Sequence, residues 1–182
     1  ANVALFVWRL RSYSVTQTPV LPLDQRNCYS FSTLGNNAPL FSRWQPQEDP
    51  SEIASRAHIP APITRLEFSA EDGGKHASPY YYGEGKSLAI WAPGWPTADS
   101  PQPIPIKHII PANLSQWDHY KPPKDHVAVD PELGRILFPP RQLPRNGVRV
   151  SYHYGFSADM GGGEYLRRLD GAVSGQVYKV GK

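Results

Sequence analysis

The clearest period-two pattern in the chain begins after Asn146-Gly147, where Val148, Val150, Tyr152, Tyr154 and Phe156 alternate with Arg149, Ser151 and His153. Alternation of this kind predicts a strand with one face toward a core and one toward water. Just before it, Val127–Asp130 and Arg135–Phe138 are short β-prone runs around Pro131-Glu132-Leu133-Gly134. Proline presets the first turn torsion and glycine accepts positive φ, so the segment predicts a hairpin with Gly134 left-handed. The strand runs into Gly161-Gly162-Gly163. That run holds neither strand nor helix and is expected to be a hinge.

Elsewhere the pattern is weaker. Val3–Leu10 is apolar on both faces and predicts a strand sandwiched in the core, surfacing at Arg9, Arg11 and Tyr13 and broken by 18–22. Cys28–Leu34 alternates Tyr29, Phe31 and Thr33 against Ser30, Ser32 and Leu34, and Gly35-Asn36-Asn37 ends it. The simplest expectation pairs these two strands. Asp49-Pro50-Ser51-Glu52 carries the signals of a helix start. The helix must be short, since Ile59-Pro60-Ala61-Pro62 stops it, and Ile53, Ala54 and Ala57 are its expected buried stripe. Ile63–Phe68, Leu88–Trp91 and Ile106–Ile110 are further expected strands, with extended loop over 93–105 and a helical turn over Asn113–Trp117.

Together these elements predict a mainly β fold: a single antiparallel, sandwich-like domain over 1–156 with one short helix and long Pro-rich loops. Residues 157–164 are its expected Gly-rich linker. The 165–182 segment holds too few apolar groups for a core of its own and is expected to begin a following unit, with Gln176–Val180 as an edge strand that a neighbour completes.

Composition agrees: 182 residues with 20 Pro and 15 Gly leave little room for long amphipathic helices. A net charge of +3 without a basic stripe argues against nucleic acid as partner. Cys28 is the single cysteine, which excludes an internal disulfide and a Cys-based zinc site. Val3–Trp8 is too short to span a bilayer and lacks the flanks of a signal peptide, so no membrane insertion by this chain is expected. Both ends have the look of a piece of a longer polypeptide.

Candidate chemistry is sparse. Gly85-Lys86-Ser87 suggests a phosphate loop, but the glycine required five residues earlier is Tyr80 and the following run is β-like. The six histidines show no zinc-helix spacing, and Asp118-His119 and Asp125-His126 are adjacent pairs that would diverge on a strand. No Gly-x-Ser-x-Gly elbow exists, and Cys28 lacks any sign of activation. No catalytic residue, metal or cofactor is expected. The aromatic group Tyr80, Tyr81, Tyr82, Trp91 and Trp95 stands out, because three consecutive tyrosines on a strand cannot all face one core. They are the candidate interface or ligand-stacking residues; Asp130, Pro131, Gly134, Gly161, Gly162 and Gly163 are the candidate turn and hinge residues.

The run Asp130, Gly134, Arg135, Ile136, Phe138, Val148, Val150, Tyr152, Gly155 and Gly161 resembles a segment of the baseplate wedge proteins of contractile phage tails and related injection particles. The ALFVWRL, YYYGEGKSL and YHYGFSADMGGGEY segments are similar to those of large bacterial proteins in which they precede a parallel β-helix. The wedge resemblance covers about a fifth of the chain. It departs at Pro139-Pro140 and Gly163-Glu164, where wedges carry a Gly-rich turn and Gly-Asn. It implies a non-enzymatic structural subunit of a baseplate, fibre or shell, acting through other protein subunits of a multi-copy particle assembled in a bacterial cytoplasm. The alternative, resting on the aromatics, is a carbohydrate-binding β-sandwich module attached to a β-helix lyase or fibre, with a glycan as ligand.

Overall fold

The computed structural model describes residues 3–158, 160, 162 and 164, apart from 26, 46–48, 50, 52, 54–57, 72 and 97–101. Its strands are β1 (Leu10–Pro19), β2 (Leu21–Pro22), β3 (Cys28–Ser30), β4 (Leu88–Trp91), β5 (Ile109–Pro111), β6 (Val127–Asp130), β7 (Arg135–Leu137) and β8 (Arg149–Ser157). They form a three-stranded sheet, β1-β8-β4, and a five-stranded sheet, β2-β3-β7-β6-β5. The fold is mainly β, as the alternation predicts. All pairs are antiparallel except β5–β6.

The two sheets close over one core. From the first come Leu88, Ile90, Val150 and Tyr152; from the second come Val127, Val129, Ile136 and Phe138 beyond its edge, with Phe31, Leu40, Ile63 and Phe68 packed between. Each fully buried large side chain contributes roughly 2–3 kcal/mol of transfer free energy. The chain passes from β1 to β2 through Val20, which is 7% exposed and whose N–H donates to Val148 C=O at 3.2 Å. One residue thereby forms a corner joining the sheets.

The second sheet is covered on its far face too. Cys28, Leu137 and Ala128 stand side by side there in register, under Leu114, Ala112 and Trp117. Burial on both faces explains why Val127-Ala128-Val129 is an unbroken apolar run rather than an alternating one. The arginine at 135 holds the cover down: its Nη1 donates to Leu114 C=O at 2.7 Å and its guanidinium lies 4.9 Å from the Trp117 ring centre.

The hairpin β6–β7 forms in the expected register, and Gly134 has φ +66°. Its turn is a docking point for another loop. Phe31, Ala38 and Leu40 N–H groups donate to the carbonyls of Gly134, Leu133 and Pro131 at 2.8, 3.2 and 2.8 Å. Asp130, 0% exposed, ties three segments together. Its carboxylate accepts from Arg65 Nε and Nη2 at 3.0 and 2.9 Å, from Leu114 N–H at 2.8 Å, and from Glu132 and Leu133 N–H across its own turn. Arg65 also pairs with Glu132.

Several sequence expectations are corrected. Val3–Leu10 is not a core strand: Val3, Leu5, Phe6, Val7 and Trp8 are 65–94% exposed, and the strand begins at Leu10, where the apolar run ends. β1 pairs with β8 rather than β3, which instead joins β2 and β7. The second strand stops at Ser30, not Leu34. Ile63–Phe68 is a turn closed by Phe68 N–H on Thr64 C=O at 2.9 Å, with Ile63 and Phe68 buried and Leu66 85% exposed. Ile106–His108 is a 3-10 turn, so β5 is confined to 109–111, and the helical turn expected at Asn113–Trp117 falls on Trp117–His119.

The helix expected after Asp49 falls mostly outside the described residues. Of its expected stripe, Ile53 is described and is 97% exposed, so it is not a buried position. Asp49 Oδ1 does accept from Ser51 N–H at 2.8 Å. At the other end, β8 continues to Ser157, so the first residue of the expected linker belongs to the sheet, and Ala158 N–H donates to Arg9 C=O at 2.7 Å. Gly162 C=O accepts from Tyr154 Oη at 2.9 Å. Gly161, Gly163 and the 165–182 segment, with its expected edge strand, lie outside the described residues.

Candidate functional site

The five aromatic candidates do not form one exposed platform. Tyr82 is 4% exposed and its Oη donates to Ile104 C=O at 2.8 Å. Burial drives its phenol pKa far upward. Trp95 is 7% exposed, stands edge-on to Phe138 at 5.3 Å, and donates from Nε1 to Gln142 C=O at 2.8 Å. Tyr81 is 9% exposed. These three are core residues, and the expectation that they stack on a ligand is corrected: a short turn, not a strand, carries the tyrosines, so two rings turn inward. Tyr80 is 52% exposed and Trp91 is half-buried, so only these two of the five present ring surface to solvent.

Two surface features remain. The first is the amino-terminal arm, where Val7, Trp8, Leu10, Trp44, Pro60 and Ala158 line an open groove of about 790 Å3 with Arg9 and Arg11. Trp44 is held there by its Nε1–H donating to His58 C=O at 3.0 Å. Contiguous exposed apolar residues on this scale mark contact surfaces.

The second is a cleft on the outer face of the three-stranded sheet, about 320 Å3 in volume. Since Val150 and Tyr152 face the core, Ser151 and His153 must face away from it, beside Ser14 of β1 and Ala89 and Trp91 of β4. One wall is the 83–86 loop, with Glu84 and Lys86; Arg43 forms another. The loop is anchored by Arg43 Nη1 on Gly85 C=O and by Arg43 N–H on Ser87 Oγ at 2.9 Å. At the rim, Ser14 Oγ and Thr16 Oγ1 donate to the Glu164 carboxylate at 3.2 and 2.6 Å, and Thr16 N–H donates to it as well.

The pairing of β1 is irregular at this cleft. Val15 faces Tyr152 and Thr18 faces Val150, so Thr16 and Gln17 together oppose Ser151. This is a β-bulge, a device that re-aims side chains locally. Gln17 takes φ +45°, a conformation that costs a non-glycine residue on the order of 1 kcal/mol, and its N–H donates to Ser151 Oγ at 2.9 Å.

His153 Nδ1 lies 3.3 Å from Ser87 C=O, an acceptor only, so the proton sits on Nδ1 and Nε2 is left as an acceptor. Burial lowers its pKa, the Ser87 carbonyl and Glu164 oppose that, and Arg43 adds to it. The ring is therefore neutral at neutral pH. The Gly85-Lys86-Ser87 motif runs directly into β4, and Ser87 is 4% exposed, so no helix N-terminus is present to meet a phosphate.

Cys28 is a buried thiol, 1% exposed, with its pKa pushed up to about 11 by burial first, then by Asp118 against the lowering effect of Arg135. Such a thiol is a poor nucleophile. Among the described residues no three His, Cys, Asp or Glu side chains gather as a metal site, and no helix is long and apolar enough to cross a membrane. Sequence reasoning singled out Trp91 but set the Gly85-Lys86-Ser87 motif aside and missed Lys86, Arg43, Gln17, Ser151 and His153 as members of one cleft. The alternation of β8 did carry a signal for the last two, since it assigned them to the face opposite the core. Comparison of the chain with protein-family models, with curated proteins and with solved structures finds no match.

Proposed function

We propose that this chain is a non-enzymatic structural module that works through protein–protein contacts, in a multi-subunit particle of the phage-tail-like kind that its hairpin and strand resemble. The observation that carries the reading is the arm at 3–10, where six large apolar side chains are 47–94% exposed beside an open groove. Leaving that surface in water forgoes on the order of 1.5–3 kcal/mol for each large side chain, which a partner subunit would recover. The buried, unactivated Cys28 and the structural use of Asp130 fit a scaffold rather than a catalyst.

Sedimentation velocity across a wide concentration range tests it. The wild-type chain is expected to associate, and Phe6→Ser/Trp8→Ser is expected to remain monomeric with an unchanged melting temperature, because neither side chain contributes to the core. A wild-type chain that stays monomeric at every concentration, or an association untouched by the double substitution, would overturn the proposal.

A further inference from the structure

We propose that the cleft over β1, β8 and β4 binds a neutral saccharide, with one pyranose ring resting on Trp91. This goes beyond the assembly role and uses a different surface. A pyranose presents a C–H face flanked by a rim of hydroxyls that both donate and accept. A site for it needs a flat aromatic surface together with donors and acceptors at its edge.

The cleft supplies both. Trp91 is half-buried on the outward side of β4, and around it stand Ser151, Gln17, Lys86, Glu84 and Arg43. His153 adds an acceptor at Nε2. The volume of about 320 Å3 lies within the range of small-ligand clefts. The bulge supports the assignment independently, because it is the irregularity in β1 that brings Thr16 and Gln17 to the rim, at the expense of a left-handed glutamine.

Charge of both signs surrounds the aromatic ring. Arg43 and Lys86 line the cleft with Glu84, the Glu164 carboxylate stands at the rim on Ser14 and Thr16, and Arg149 lies across from Trp91. Such a mixture suits vicinal hydroxyls, each able to donate to a carboxylate and accept from a cation.

The test uses the 182-residue chain on an array of neutral and acidic oligosaccharides, followed by calorimetry with cellotriose, chitotriose and mannotriose. Trigalacturonate and a polyglutamate peptide serve as charged probes. Binding of a neutral oligosaccharide is expected. Trp91→Ala should weaken it about tenfold or more, as for a central aromatic contact, and Trp91→Phe should retain more of it. Lys86→Ser, in an exposed loop away from the core, should weaken it without changing the melting temperature. Tyr80→Ala, outside the cleft, should leave it intact. The proposal is overturned if no neutral glycan on the array binds, if binding survives Trp91→Ala and Lys86→Ser undiminished, or if trigalacturonate or polyglutamate binds in preference. Self-association through the arm is read separately by sedimentation, so either idea can fail alone.

Discussion

Replacing Gly134 with alanine should destabilise the fold well beyond the usual effect of losing a turn glycine. Two separate costs arise. At φ +66° an L-residue pays about 1–2 kcal/mol for the left-handed conformation. A Cβ built there would also lie 2.3 Å from Ala38 O and 3.0 Å from Ala38 C, both backbone atoms that cannot swing aside. Relief requires the turn to part from the 31–40 loop, straining the bonds from Phe31, Ala38 and Leu40 to the turn carbonyls, and overpacking of this kind adds about 1–3 kcal/mol. The sum is about 2–5 kcal/mol, and Gly134→Val should lie at or above the upper end.

Gly147 supplies the control. It too has positive φ, +78°, but nothing lies within 4 Å of its would-be Cβ, so Gly147→Ala should cost only the conformational part. Urea unfolding of both variants, with the m-value checked for constancy, separates the contributions. At about 2–4 °C per kcal/mol for a domain of this size, the two melting temperatures should also differ by several degrees. Equal losses for Gly134→Ala and Gly147→Ala would refute the reasoning, since the close approach of Ala38 would then contribute nothing.

Three further outcomes are expected. Asp130→Ala removes the acceptor of Arg65 Nε and Nη2 and of the Leu114, Glu132 and Leu133 amides, leaving Arg65 only its pairing with Glu132, and should cost about 3 kcal/mol by urea unfolding; in a double-mutant cycle, Arg65→Met should cost much less in that background than in the wild type. Cys28 should resist thiol reagents in the native state at mildly alkaline pH and react stoichiometrically in denaturant, and rapid native labelling would contradict its burial. His153 has a folded pKa below its ordinary 6.5, so the unfolded chain binds more protons in the window just below that value. Its contribution to stability is complete above 6.5 and falls as pH drops through the window; His153→Gln should flatten this part of a pH-stability profile, and an unchanged slope would show that other groups produce it.

The parts of the fold whose physics is local were legible in the residues alone. Alternation over 148–156 is a property of neighbouring residues, and it assigned Val150 and Tyr152 to the core and Ser151 and His153 to the opposite face, although Phe156, given the core face too, is 48% exposed near the end of β8. Pro131 and Gly134 dictated the hairpin because the left-handed turn conformation depends on the residue in it.

Partnerships between residues far apart in the chain were not legible in the same way. Val3–Trp8 has the composition of a core strand, yet no sheet takes it up, because β8, the partner of β1, ends at Ser157 opposite Leu10 and gives the residues before Leu10 no strand to pair with. Tyr81 and Trp95 are as aromatic as Trp91 but are buried, a distinction set by the folding of the 78–82 turn and by Phe138, which is 43 residues beyond Trp95. The cleft joins β1 to β8 and to Arg43 and Lys86, residues brought together only when the sheet has closed. Apolar patterning fixes which face of a strand turns inward; it says nothing of which distant strand lies beside it, and the candidate sites of this protein are made at those junctions.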